Sequence, residues 1–122
     1  MIERWIDGVC SRAGWAPPRV NNQGKYRFRL ESGGAVDASS PDDRTLVLEA
    51  DVGSVDGGDG EALFRKAATA VLPRVFSDGG TLCLRQKRLW LTWVVTLGAL
   101  RASEFPGIME SFLNDLAFYR SL

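Results

Sequence analysis

The sequence predicts an α+β domain in the order helix, three strands, helix, two strands, helix (α-β-β-β-α-β-β-α). Three observations carry that reading. Apolar residues recur at helical spacing in three separate stretches, strict apolar/polar alternation marks the strands between them, and short turns join neighbouring strands, which makes the sheet antiparallel. With 122 residues and 45% hydrophobic content, the chain is long enough for one buried core and too short for two, so 1–122 reads as a single domain.

In "IERWIDGVCSRAGW", Ile2, Trp5, Ile6, Val9, Cys10 and Ala13 form one helical stripe, and "GWAPP" ends it, because Gly and Pro stop helices. "KYRFRLES" alternates next, with Tyr26, Phe28 and Leu30 on one face and Lys25, Arg27, Arg29 and Glu31 on the other. "GGAVDASSPDD" reads as turn, short strand and turn, and "TLVLEADV" alternates through Leu46, Leu48, Ala50 and Val52, completing a three-stranded meander. "GSVDGGDG" is too rich in Gly and Asp for regular structure and reads as a connection. "EALFRKAATAVLPRVF" gives the second helix, with Leu63, Phe64, Ala67, Ala68, Val71 and Val75 on one side and Pro73 distorting its last turn. Strands "TLCLR" and "RLWLTWVVTL" meet at a turn near Gln86 and Lys87. The final helix carries Phe105, Ile108, Met109, Phe112, Leu113 and Leu116 on one stripe, with Ser103 as its expected N-cap.

Composition removes several classes of function. Fifteen Lys+Arg balance fifteen Asp+Glu, so no global field gathers nucleic acid or anionic lipid. Cys10 and Cys83 lie far apart in apolar settings and read as reduced, buried thiols. The N-terminal stretch carries acidic residues and no uninterrupted apolar core, unlike a cleaved signal peptide, and no window is long enough to span a membrane. The chain has no histidine, which removes Ser-His-Asp and Cys-His nucleophile systems and the commonest zinc ligand. Asp42 with Asp43, and Asp56 with Asp59, are paired carboxylates in polar turns, where Asp is favoured as a turn former. "GSVDGGDGE" lacks the Lys and Ser/Thr of a phosphate-binding loop and the alternating ligands of a calcium loop. "KYRFRL" interleaves aromatic and basic residues, yet alternation puts them on opposite faces, where they cannot grip one strand of nucleic acid together. No cofactor or metal motif is found, and an enzyme reading is left with the paired carboxylates alone.

What remains is excess apolar surface. Four tryptophans are many for a chain of this size. The last strand puts Leu89, Leu91, Trp93, Val95 and Leu97 on one face and Trp90 and Val94 on the other, so both faces are expected to seek cover. Trp5 and Trp90 are the aromatics a core-only account explains least, and aromatic residues are favoured at interfaces.

The order of elements, the size and the ending "TLCLRQKRLWLTWVVTLGAL...EFPGIMESFLNDLAFYRSL" resemble the class I chaperones of bacterial type III secretion systems, the group that includes the Tir chaperone family. The most specific piece is "F..iMESFLNDLAFYR", matching a Phe, a Leu or Met, an acidic residue and a closing aromatic with Arg. The resemblance implies a chaperone of the bacterial cytoplasm that uses no nucleotide or metal and forms a homodimer, or in some cases a heterodimer. It implies a dimer interface on the second helix and adjoining strands, here Leu63, Phe64, Ala67, Ala68, Val71 and Trp90. It further implies that the N-terminal segment of a secreted effector wraps the dimer in extended form, with Trp5, Ile6, Val9, Tyr26, Phe28 and Val47 as candidate contacts. Two other readings stand beside it: a module of the same shape that regulates or builds the secretion apparatus without cargo, and a small carboxylate enzyme, which the absent histidine disfavours.

Overall fold

The computed structural model describes residues 2–14, 18–20, 24–30, 33–42, 44–54, 62, 65–66, 81–96 and 102–121. Helix α1, Ile2–Ala13, presents Trp5, Ile6 and Cys10 as its buried side and gives way at Gly14, whose φ of +69° suits the residue that ends a helix. Six antiparallel strands follow: β1 (Arg19–Val20), β2 (Tyr26–Arg29), β3 (Ala35–Ser39), β4 (Thr45–Ser54), β5 (Thr81–Arg85) and β6 (Arg88–Thr96). Their order in the sheet is β1-β2-β3-β4-β6-β5. The sequence reading expected five strands; the two-residue β1, pairing Arg19 with Arg27 and Val20 with Tyr26, is too short to show an alternation.

Strand β4 is the centre of the sheet, paired to β3 on one side and to β6 along its whole length on the other, from Thr45 opposite Thr96 to Ser54 opposite Arg88. It continues two residues beyond the expected end at Val52. A register shift between Asp51 and Gly53 admits the extra residue, and a glycine inside a strand is where such bulges occur.

The period of two then sorts the sheet into faces. Phe28, Val36, Ala38, Leu46, Leu48, Ala50, Leu89 and Leu91 point to the inner face and are buried. Helix α2, Phe105–Arg120, covers that face with Phe105, Met109, Phe112, Leu116 and Tyr119. Trp93 meets Phe112 edge to face at 5.8 Å between ring centroids, and Trp5 brings α1 against Phe105 at 6.2 Å, so both helices close one core.

The entry to α2 differs from expectation. A single 3₁₀ turn, Ala102–Glu104, leads into it, Glu104 holds the cap position, and no side chain caps the helix. Ser103 is therefore not the N-cap, because it lies inside the 3₁₀ turn and not at a helix boundary. Pro106, in the first turn, needs no acceptor for a backbone N–H it does not have. Of the second predicted helix, only Ala62, Arg65 and Lys66 are described, and each is helical. Leu63, Phe64, Ala67, Ala68, Val71 and Pro73 lie outside the described residues. Among the described residues two helices are complete, against three predicted, and no helix is long and apolar enough to cross a membrane.

Candidate partner-binding surfaces

Alternation sends Arg27, Asp37, Val47, Glu49, Asp51, Trp90, Thr92 and Val94 to the outer face of the sheet, away from α2. Charge organises this face. Arg27 donates two hydrogen bonds to Asp37 across β2 and β3, at 2.8 and 3.1 Å, as a bidentate fork. That carboxylate raises the Arg27 guanidinium above its ordinary range. Glu49 receives Lys25, the residue before β2, at 3.2 Å and Arg85 from β5 at 2.6 Å, and Arg88 pairs with Asp51. Three carboxylates in the middle of the sheet are thus flanked by cations from both sides, which ties five strands together in one register.

The expectation that both faces of β6 would be covered is met on one face only. Val94 is 66% exposed, while Trp90 is half-buried under the Arg85 guanidinium, which stacks 4.7 Å from its ring. Val94 sits opposite Val47, so the apolar patch of the outer face is Val47, Trp90 and Val94, set within the ion pairs.

The six candidate cargo contacts do not lie together. Trp5, Ile6 and Phe28 are core residues of the protomer, with 9%, 1% and 6% of their surface accessible. Tyr26 is half-buried beside them, near Glu3 of α1. Burial first, and then the Glu3 carboxylate, raise its phenol above the ordinary value. Val9 lies on α1. Val47 points to the opposite face, which its place between the buried Leu46 and Leu48 already implied. What α1 and β2 leave accessible is Tyr26 with the neighbouring Val20 of β1, which is 55% exposed at the sheet edge. Leu84, 52% exposed, marks the other edge on β5.

The sequence reading treated both thiols alike, and the structure separates them. Cys10 is buried in the core, and burial followed by the nearby Asp7 charge pushes its thiol up. Cys83 is only half-buried, on β5 opposite Trp90, 3.8 Å from the Thr92 hydroxyl. Among the described residues no three metal-ligating side chains converge.

One arrangement went unread in the sequence. Arg120, in the last turn of α2, donates to the Asp51 carbonyl through Nε at 3.2 Å and Nη2 at 2.8 Å, and to the Gly33 carbonyl through Nη1 at 3.2 Å. Gly34 has a φ of +81°, and a Cβ there would lie 2.6 Å from Arg120 Nη2. Gly34 therefore leaves room for the arginine that anchors the end of α2, and "GG" ahead of a strand was the available signal.

A model of the Tir chaperone protein (CesT) family matches residues 5–120. The fold recurs in several solved structures. A chain of the HopA1-SchA chaperone-effector complex superposes with a TM-score of 0.76 at 14% identity, covering 99% of this chain and 94% of that one. A chain of the ExsC-ExsE complex gives 0.78 at 20% identity, covering 99% and 92%. The Yersinia pestis type III secretion chaperone SycH, in complex with a stable fragment of YscM2, gives 0.67 at 12% identity, covering 98% and 99%. At these identities the likeness is one of fold. Comparison with curated proteins found no match in sequence.

Proposed function

Because this chain belongs to the Tir chaperone protein (CesT) family, we propose that it is a type III secretion chaperone, binding the extended N-terminal segment of a secreted effector and keeping it export-competent. The match over residues 5–120 carries this reading, since it runs from the first turn of α1 to the end of α2. The protein then works by binding and not by catalysis, in the bacterial cytoplasm.

Two features of the fold support the mechanism. The sheet has two outer edges, at β1 and β5, and an extended chain gains generic affinity from main-chain hydrogen bonds at such an edge while pockets choose its side chains. At the β1 edge, Val20 and Tyr26 present accessible apolar surface beside α1, so cargo enters there, with Val9 a further contact on α1, and reaches Trp5, Ile6 and Phe28 only by displacing what covers them. The homodimer forms on the second helix, through Leu63, Phe64, Ala67, Ala68 and Val71, together with Trp90 and its exposed outer-face neighbour Val94.

Co-expression with the secreted protein encoded beside it tests the reading. The effector is expected to co-purify through a segment of roughly several tens of residues that orders on binding. Val20→Asp should weaken capture and leave the fold intact, whereas Trp5→Ala should cost stability as well, because Trp5 is core. Ala67→Glu should turn a dimer into a monomer in light scattering. Hydrogen-exchange protection over a folded domain of the partner, with none over a linear segment, would overturn the mechanism.

A further inference from the structure

At the end of the sheet where the β5–β6 hairpin turns, a cleft of about 300 Å³ is lined by Gly33, Gly34, Asp51, Val52, Arg88 and Arg120. Its polar groups are unevenly matched. Among the described residues, Arg120's hydrogen bonds run to main-chain carbonyls, which accept N–H groups without neutralising the charge. Three of the five guanidinium N–H groups are used in this way, leaving two. Arg88 spends its Nε on Asp51 and keeps its Nη groups. Among the described residues that line the cleft, two arginines and one aspartate leave one positive charge; Asp51 takes Arg88 through Oδ2, its buried Oδ1 has no hydrogen-bond partner, and both arginines keep N–H donors to spare.

The hairpin adds to this. Residues 85–88 read Arg-Gln-Lys-Arg, and the two turn positions, Gln86 and Lys87, have φ of 51° and 62°. Asn-Gly takes such a turn at little cost, whereas a longer side chain is strained in the left-handed region. The turn thus holds an exposed lysine in a strained conformation beside the cleft.

We propose that this cleft docks an acidic linear segment of a partner protein, with one carboxylate seated between Arg88 and Arg120. Arginine forks match a carboxylate with two parallel hydrogen bonds, and Arg120 is held ready by the Asp51 and Gly33 carbonyls and by the bare face of Gly34. Asp51 at the cleft and Glu49 on the same face of β4 repel further negative charge, so one carboxylate is seated there and the rest of the segment lies outside the cleft. The site requires an acidic partner and not a secreted one, so it stands apart from the cargo reading.

Fluorescence anisotropy tests it with a labelled decapeptide of alternating Glu and Ser, its Gln/Ser counterpart, and a single-stranded RNA of similar charge. The Glu peptide is expected to saturate at low salt, to weaken at raised salt, and to bind far better than the Gln peptide. Arg88→Gln should weaken it by about fivefold and Lys87→Gln by about threefold. Lys87 is exposed and makes the control that leaves the fold untouched, while Arg88→Gln is read alongside its melting temperature because Arg88 also pairs with Asp51. Arg120→Lys keeps the charge without the fork and should weaken binding as Arg88→Gln does, read alongside its melting temperature because Arg120 also anchors α2. Equal binding of the Glu and Gln peptides, an unchanged affinity in Arg88→Gln, no saturable binding, or tighter binding of the RNA would each overturn the proposal.

Discussion

The two faces of the sheet are built on different physics from the same strands. The inner face is apolar and closed, with Leu46, Leu48, Leu91, Phe105, Phe112 and Tyr119 fully buried between sheet and α2. The outer face is held by Arg27–Asp37, Lys25–Glu49–Arg85 and Arg88–Asp51, with Val47, Trp90 and Val94 as its apolar patch. Burial on the inner face removes apolar area from water at about 25 cal/mol per Å², whereas each half-exposed ion pair contributes about 0–1 kcal/mol. The inner face therefore supplies stability. The outer face supplies register, by making each strand complementary in charge to its neighbours, and it stays open to a partner.

Phe112→Ala tests that division with the largest effect. Phe112 is fully buried and meets Trp93 edge to face, so its removal should cost about 3–5 kcal/mol in denaturant unfolding. Val94→Ser on the outer face should cost less than about 0.5 kcal/mol in the protomer, because Val94 is already in water. Similar costs for the two would mean that the faces are not divided as described.

Glu49→Gln sharpens the comparison from the charged side. Glu49 receives cations from just before β2 and from β5 while its own side chain is only 12% exposed, so neutralising it leaves Lys25 and Arg85 facing an amide. The expected loss is about 1 kcal/mol, above that of an exposed pair and below that of a buried one, since both cations keep contact with solvent. It should shrink as salt is added, which the Phe112→Ala loss should not. A salt-independent loss would point to packing in place of charge.

Legibility in the sequence follows the same division. Periodicity located α1, α2 and the five longer strands because burial on one face imposes a repeat, and the inner-face set of Leu46, Leu48, Ala50, Leu89 and Leu91 could be named from alternation alone. Alternation also separates Val47 from Leu46 and Leu48, so grouping Val47 with Trp5 and Phe28 set aside its own signal. Trp5, Ile6 and Phe28 could not be told apart from surface residues by pattern. An apolar stripe has the same spacing whether it meets the chain's own Phe105 or another molecule. The ion pairs and the Arg120 anchor join residues 10 to 87 positions apart, and no local repeat records such distances. The 3₁₀ entry to α2 was missed because Ser ahead of a helix signals a cap only where the preceding backbone is extended.

The smallest expected effect belongs to a turn that joins β3 to β4 and to neither face. Asp42 Oδ1 accepts hydrogen bonds from the backbone N–H of Arg44 at 3.0 Å and of Thr45 at 2.9 Å, and from the Thr45 hydroxyl at 2.9 Å. The Arg44 N–H first, then the Thr45 hydroxyl and N–H, hold the Asp42 carboxyl below its ordinary range. A carboxyl depressed in the folded state lends stability at any pH above its unfolded value, and that contribution fades as pH falls through the folded one. Asp42→Ala should therefore lower the urea midpoint at about pH 7, and the gap to the parent protein should narrow below about pH 4 as the unfolded carboxyl takes up its proton. Asp42→Asn keeps a side-chain oxygen as acceptor but not the charge, so it should fall between the two at neutral pH. The comparison is between midpoints at neutral and acidic pH for all three proteins. A gap that stays constant across that range would mean that the turn is held by geometry and not by the ionised carboxylate.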